Sequence, residues 1–80
     1  MRINNSDAQK YKNCAPIFTM DLDDGETLEV IGFTRRTDGE RDAVTRRGDR
    51  YFKVLVRYNA HLEPYLSILD RDGHRRLYLN

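Results

Sequence analysis

Eighty residues make one domain with a modest core. A chain of this size buries only about 60% of its unfolded surface, which argues against a deep cleft between lobes. The formal net charge of +1 excludes a strongly basic, purely electrostatic nucleic-acid binder, and the single cysteine, Cys14, excludes an internal disulfide.

Charged residues make up 34% of the chain and are unevenly spread. Residues 1–40 carry eight acids against five bases, and residues 41–80 carry five against nine. One acidic and one basic face is one reading; pairing of opposite charges across neighbouring strands is the other.

The first fifteen residues are polar. "MRINNSDAQKYKN" lacks the apolar run of a signal peptide, and no window reaches the ~20 apolar residues of a membrane span. A cytoplasmic location is expected, in the host cytoplasm if the chain is phage-encoded. Ser6 followed by Gln9 has the form of a capping box and predicts a short helix over roughly residues 7–13. Only Ala8 and Tyr11 offer it something to bury.

From Pro16 to the end the period is two, and residues 16–80 read as a β-domain. In "PIFTMDL" Phe18, Met20 and Leu22 share a face. Asp24-Gly25 signals a hairpin, and Leu28 and Val30 continue the apolar face beyond it. Ile31 and Phe33 then take the opposite parity, with Gly32 between them as a candidate bulge or bend.

"TRRTDGERDAVTRRGDR", residues 34–50, is charged at ten of seventeen positions. Asp38-Gly39 and Gly48-Asp49 read as turns that bracket residues 40–47, a poorly buried strand or arm. Its net charge is only +2, because six arginines face four acids. The repeated Thr-Arg-Arg triplets flank the arm, so Arg35 and Arg36 are expected near Arg46 and Arg47. Like charges side by side are unfavourable without a partner. Either an acidic ligand or pairing with Asp38, Glu40, Asp42 and Asp49 would relieve them.

"RYFKVLVRYN" is the clearest strand, with Phe52, Val54, Val56 and Tyr58 opposite Tyr51, Lys53, Leu55 and Arg57. After "NAHLEP" the chain closes as a hairpin about Asp72-Gly73, which sets Leu66 and Ile68 opposite Leu77 and Leu79. Turn signals every 10–15 residues predict a mainly β domain. Its form is an antiparallel meander of five or six strands, either a curled sheet or a small Sm/SH3-like barrel, with a short N-terminal helix. The predicted core is Phe18, Met20, Leu22, Leu28, Val30, Phe52, Val54, Val56, Leu66, Ile68, Leu77 and Leu79.

Few chemistries suit these residues. Counted from Asp21, Gly25 is fifth and Gly32 twelfth, so the acidic tip fails the calcium-loop pattern. Cys14, His61 and His74 do not form a zinc set by spacing. No elbow or glycine-rich loop supports a nucleophile, although His74 beside Arg75 and Arg76 could serve a phosphate reaction. The RGD tripeptide at 47–49 is explained as turn chemistry. No catalytic residue, metal or cofactor is implied.

Binding is the remaining class. Arg35, Arg36, Arg46, Arg47, Arg50, Lys53 and Arg57 form a candidate basic surface, with Tyr51 as a stacking partner for nucleic acid. Asp21, Asp23, Asp24 and Glu26 form a candidate acidic docking tip. Tyr51 and Tyr65 are candidate anchors for a protein partner. The leading expectation is a small non-enzymatic inhibitor or adaptor that docks on a nucleic-acid-handling protein machine. The alternative is a small barrel that binds RNA or DNA directly.

Ile3, Asn4, Asp7, Cys14, Leu22, Asp24, Gly25, Glu26 and Leu28 carry a resemblance over about a third of the chain. The segment "INNSDAQKYKNCAPIFTMDLDDGETLE" resembles the Rof family of Rho-terminator inhibitors. That resemblance implies an Sm-like barrel behind a polar helix, and docking through Asp21, Asp23, Asp24 and Glu26. In size and charge balance the chain also fits a type, the phage inhibitors of host defence such as anti-CRISPR proteins.

Overall fold

Alternation of apolar and polar residues becomes two antiparallel sheets in the computed structural model, which describes residues 2–80 without the side chains of Asn5 and Ser6. A short helix α1 (Asn5–Ala8) runs into a 3₁₀ turn (Gln9–Tyr11). Strands follow as β1 (Phe18–Asp21), β2 (Thr27–Arg35), β3 (Arg41–Arg47), β4 (Arg50–Leu55), β5 (Arg57–Tyr58), β6 (Pro64–Asp70) and β7 (Gly73–Tyr78). The first sheet has the order β1-β2-β3-β4 and the second β5-β6-β7. The domain is mainly β and antiparallel, as the patterning implies.

The helix differs from its predicted form. It starts earlier than expected, and the Asn4 side chain caps it: Asn4 Oδ1 accepts the Asp7 N–H at 2.9 Å. Ser6 lies inside the helix, and its side chain is outside the described residues.

Gly48 begins a two-residue hairpin loop with φ of 61°, the positive value that a type II′ turn requires at its first central position. Gly32 marks the expected bulge. Val30 pairs with Thr45 and Gly32 with Val44, so Ile31 is the extra residue. The bulge turns Ile31 toward the N-terminal segment and returns Phe33 to the face of its partner Ala43. Tyr11 packs over Gly32, its ring 3.6 Å from where a Cβ would project.

The long predicted strand 50–58 is divided at Val56. The Val56 N–H donates to the Arg41 carbonyl at 3.0 Å, while its neighbours belong to different sheets. The chain thus crosses from one sheet to the other there. Between the sheets lies the main core: Leu22, Leu28, Val30, Ala43, Val56, Leu66 and Ile68, with Phe18, Met20, Val54, Leu77 and Leu79 packed against it. Every predicted core residue except Phe52 belongs to this cluster.

A second cluster covers the other face of the first sheet. Ile3, Ala8, Ile31 and Val44 form it, with Tyr11, Cys14 and Tyr51 alongside. Residues 2 and 3 also pair with the outer edge of β4, through the Arg2–Phe52 bridge and the Ile3 N–H to Tyr51 carbonyl bond of 3.0 Å. Of the two readings of 40–47, strand or arm, the strand holds, and its expected poor burial is overturned. β3 is an inner strand of its sheet, with Asp42, Ala43, Val44 and Thr45 all buried. Its two faces are covered by different halves of the chain.

The sheets do not close into a barrel. Among the described residues no ladder joins β7 to β1. Instead Arg75 on β7 donates to the Asp21 carbonyl at the end of β1, at 3.0 Å. Asp70, buried beside it, accepts from Arg75 at 2.8 Å, from the Asp23 N–H at 3.0 Å and from the Arg71 N–H at 2.8 Å. The first hairpin is thereby tied to the last.

Candidate anion-binding groove

β3 carries a like-charge cross-strand pair at each end. Arg47 lies opposite Arg50 on β4, and Arg41 opposite Arg35 on β2. Directly opposed like charges destabilise a sheet unless something lies between them. At the first end something does. Arg50 Nη2 donates to both Glu26 oxygens at 2.8 and 2.9 Å, and Arg47 lies 3.5 Å from Glu26 and 3.6 Å from Asp24. At the second end nothing does: neither Arg35 nor Arg41 has a side-chain hydrogen bond or ion pair among the described residues.

Arg57 is the third such guanidinium, and all three line one groove of about 680 Å³ beside the crossing at Val56. Among the described residues Glu40 is the single acid that lines it, and Tyr58 and Tyr65 form part of the wall. Three cations against one carboxylate leave the groove with an excess of two positive charges. Arginine forks suit planar oxyanions, because two parallel N–H bonds match a carboxylate or phosphate edge.

An apolar groove of about 260 Å³ adjoins it, sharing Arg41, Val56 and Tyr58. Its other walls are Phe18, Phe33, Pro64 and Leu79. Phe33 and Tyr58 are 42% and 56% exposed, and Ile17 beside Phe18 is 56% exposed. This is one open end of the unclosed sandwich.

The outer face of the second sheet carries an aromatic row. Tyr65 pairs with Arg57 on one side and Tyr78 on the other, and the two tyrosine rings are 5.6 Å apart. The Arg76 guanidinium lies 4.3 Å over Tyr65. Arg76 also donates to the Tyr78 hydroxyl at 3.3 Å, which holds that phenol below its usual pKa. Beyond Tyr58 the chain turns in a loop organised by Asn59, whose Oδ1 accepts from both His61 and Glu63 N–H groups at 2.9 Å.

The remaining predicted site residues are spoken for within the fold. Arg36 donates to the buried Asp42 carboxylate at 2.9 Å, which raises its pKa. Arg46 donates to Glu29 at 2.9 Å and reaches the carbonyls of Tyr11, Lys12 and Cys14 at 3.5, 3.4 and 3.2 Å. It clamps the N-terminal segment to the sheet. In the acidic tip, Asp24 and Glu26 neutralise Arg47 and Arg50 as above. Asp23 lies 3.9 Å from Arg75, and Asp21 accepts from the Thr27 hydroxyl at 3.2 Å.

Two expectations are corrected by the register. Arg35 and Arg36 do not come near Arg46 and Arg47. The hairpin about residues 38–39 places Arg35 opposite Arg41, while Arg47 lies opposite Leu28 at the far end of β3. The proposed platform of Tyr51, Lys53 and Arg57 is also not formed. Tyr51 packs into the N-terminal cluster, and Arg57 belongs to the other sheet. Lys53 lines a separate groove between the sheets, together with Phe52 and Ile68.

Sequence reasoning missed Arg41 and Phe33 as site residues. Counting outward from Asp38-Gly39 pairs Arg35 with Arg41, so the signal was present in the hairpin itself. Among the described residues no group of three His, Cys, Asp or Glu side chains is arranged to hold a metal. His74 Nδ1 lies 3.1 Å from the Ser67 hydroxyl, and among the described residues no carboxylate meets its other ring nitrogen. The chain matches no family model, no curated protein and no solved structure.

Proposed function

We propose that this protein is a small non-enzymatic adaptor or inhibitor that docks on an anionic surface of a nucleic-acid-handling assembly. The observation that carries this reading is the convergence on one groove of Arg35, Arg41 and Arg57, none of them ion-paired among the described residues, against the single carboxylate of Glu40. A Rof-like mode through Asp21, Asp23, Asp24 and Glu26 is less available, because Asp23, Asp24 and Glu26 lie beside arginines of this same chain. Complementary charge supplies on-rate and register in such docking, and neighbouring apolar contacts supply residence time.

A second reading, direct contact with RNA or DNA, is favoured by the row of Tyr65, Tyr78 and Arg76 beside Arg57. Bases stack on tyrosine rings and on guanidinium planes. Affinity capture from the source cell, paired with binding of a labelled ten-nucleotide oligo-dT, separates the two. The adaptor captures a protein complex in a manner that Arg41→Glu abolishes, and binds the oligonucleotide weakly. Direct contact instead gives oligonucleotide binding with a log–log salt slope of about −2, the value for three phosphates on a single strand. Capture unaffected by Arg41→Glu, with no oligonucleotide binding, overturns both.

A further inference from the structure

The two adjoining grooves have different chemistry, and together they describe one ligand. The geometry points to an acidic peptide segment of a partner protein, with carboxylates against Arg35, Arg41 and Arg57 and one apolar side chain in the groove between Phe33, Tyr58 and Leu79. This rests on the reading of the arginine groove as the docking site.

Charge sets the first half of the match. The excess of two positive charges in the larger groove calls for about two carboxylates, since guanidinium forks bind each one bidentately. Size sets the second half. At about 260 Å³ the apolar groove falls below the range of ordinary small-molecule sites, roughly 300–1,000 Å³. One branched or aromatic side chain suits it better than a free ligand.

Contiguity joins the halves. Arg41 and Tyr58 belong to both grooves, so a carboxylate and an apolar side chain close together on one peptide reach both. A nucleic-acid strand offers flat bases that stack on exposed rings, but no aliphatic side chain of the size that the space between Phe33, Pro64 and Leu79 admits. Exposed Phe33 and Tyr58 beside arginines that have no partner among the described residues are the pattern of a protein interface, in which aromatic and arginine residues are enriched.

Fluorescence anisotropy with three labelled probes tests this. The first is the peptide Glu-Asp-Leu-Asp-Glu, the second the same peptide with Ser for Leu, and the third a ten-nucleotide oligo-dT. The leucine peptide is expected to bind at least about tenfold tighter than the serine peptide, the effect of burying one leucine side chain. Phe33→Ser is expected to erase that difference while leaving the serine peptide's affinity unchanged, and Arg41→Glu to weaken both peptides. Should Phe33→Ser fail to fold, Tyr58→Ser, at a more exposed position, replaces it. Equal affinity for the two peptides overturns the inference and leaves the anion groove standing. Tighter binding of the oligonucleotide than of either peptide assigns the groove to phosphates and also overturns it. No binding of any probe removes both the inference and the docking reading beneath it.

Discussion

Leu62 has a φ of 61°, the only positive value among the described non-glycine residues, and it is 79% exposed. A left-handed leucine costs roughly 1–2 kcal/mol, and burial returns nothing here. The Asn59 bonds to His61 and Glu63 hold it in place. Leu62→Asn should therefore raise stability by about 0.5–1 kcal/mol, because Asn tolerates this conformation without loosening the unfolded chain. Chemical denaturation measures it, and a loss of stability would show that the leucine is not strained. Asp70 is the opposite case, a side chain with every contact made. Its pKa is lowered chiefly by the Arg75 hydrogen bond, with the N–H groups of Arg71 and Asp23 adding to the effect against the opposing cost of burial. A depressed carboxyl pKa adds stability above the unfolded value of about 3.9, and that stability is lost as pH falls through the folded value. Melting temperature should fall on acidification below about pH 4, and Asp70→Asn should flatten that dependence while lowering stability at neutral pH. An unchanged acid limb in Asp70→Asn would refute the role given to it.

Among the elements, β3 decides how the molecule is layered. Its sequence "RDAVTRR" has two apolar residues, too few to announce a buried strand. Burial comes from position: Ala43 faces the inter-sheet core, and Val44 faces the N-terminal segment. Arg46 holds that segment in place through Glu29 and three carbonyls. Arg46→Ala should cost about 2 kcal/mol, the scale of charge-assisted hydrogen bonds, and should speed labelling of the partly buried Cys14 thiol. Equal labelling rates in the two proteins would show that the N-terminal segment is held by its apolar contacts alone. Alternating strands and Asp-Gly or Gly-Asp turns made the β-elements legible, since period two and turn chemistry are local. The inter-sheet core followed, because Leu28, Val30, Leu66 and Ile68 alternate cleanly. What could not be read was non-local. The crossing at Val56 depends on a bond to Arg41, and the second core needs Ile3 and Ala8 to fold back over Ile31 and Val44. The basic surface was legible only as composition. Which arginines are partnered depends on register: of the six in that surface, Arg36, Arg46, Arg47 and Arg50 are ion-paired, whereas Arg35 and Arg57 have no ion pair among the described residues.

Across the whole molecule, charge is sorted and not merely balanced. The acidic tip and the arginines at one end of β3 neutralise each other, and Arg75 with Asp70 ties the hairpins where a barrel seam would run. The end bearing Arg35, Arg41 and Arg57 is left positive beside an open apolar groove. A site kept for a ligand carries a cost in the free protein, so relieving it should stabilise the fold while removing function. Thermal melting of the wild type and of Arg41→Glu, each with and without the Glu-Asp-Leu-Asp-Glu peptide and the oligonucleotide, tests this most directly. Glu at this position faces Arg35 and forms an opposite-charge pair worth roughly 0.2–1 kcal/mol. The free variant should therefore melt a few degrees above the free wild type. The wild type should gain stability from at least one probe, and the variant from neither. A variant that melts below the wild type, or that responds to the probes as the wild type does, would contradict the assignment of this groove to an anionic ligand.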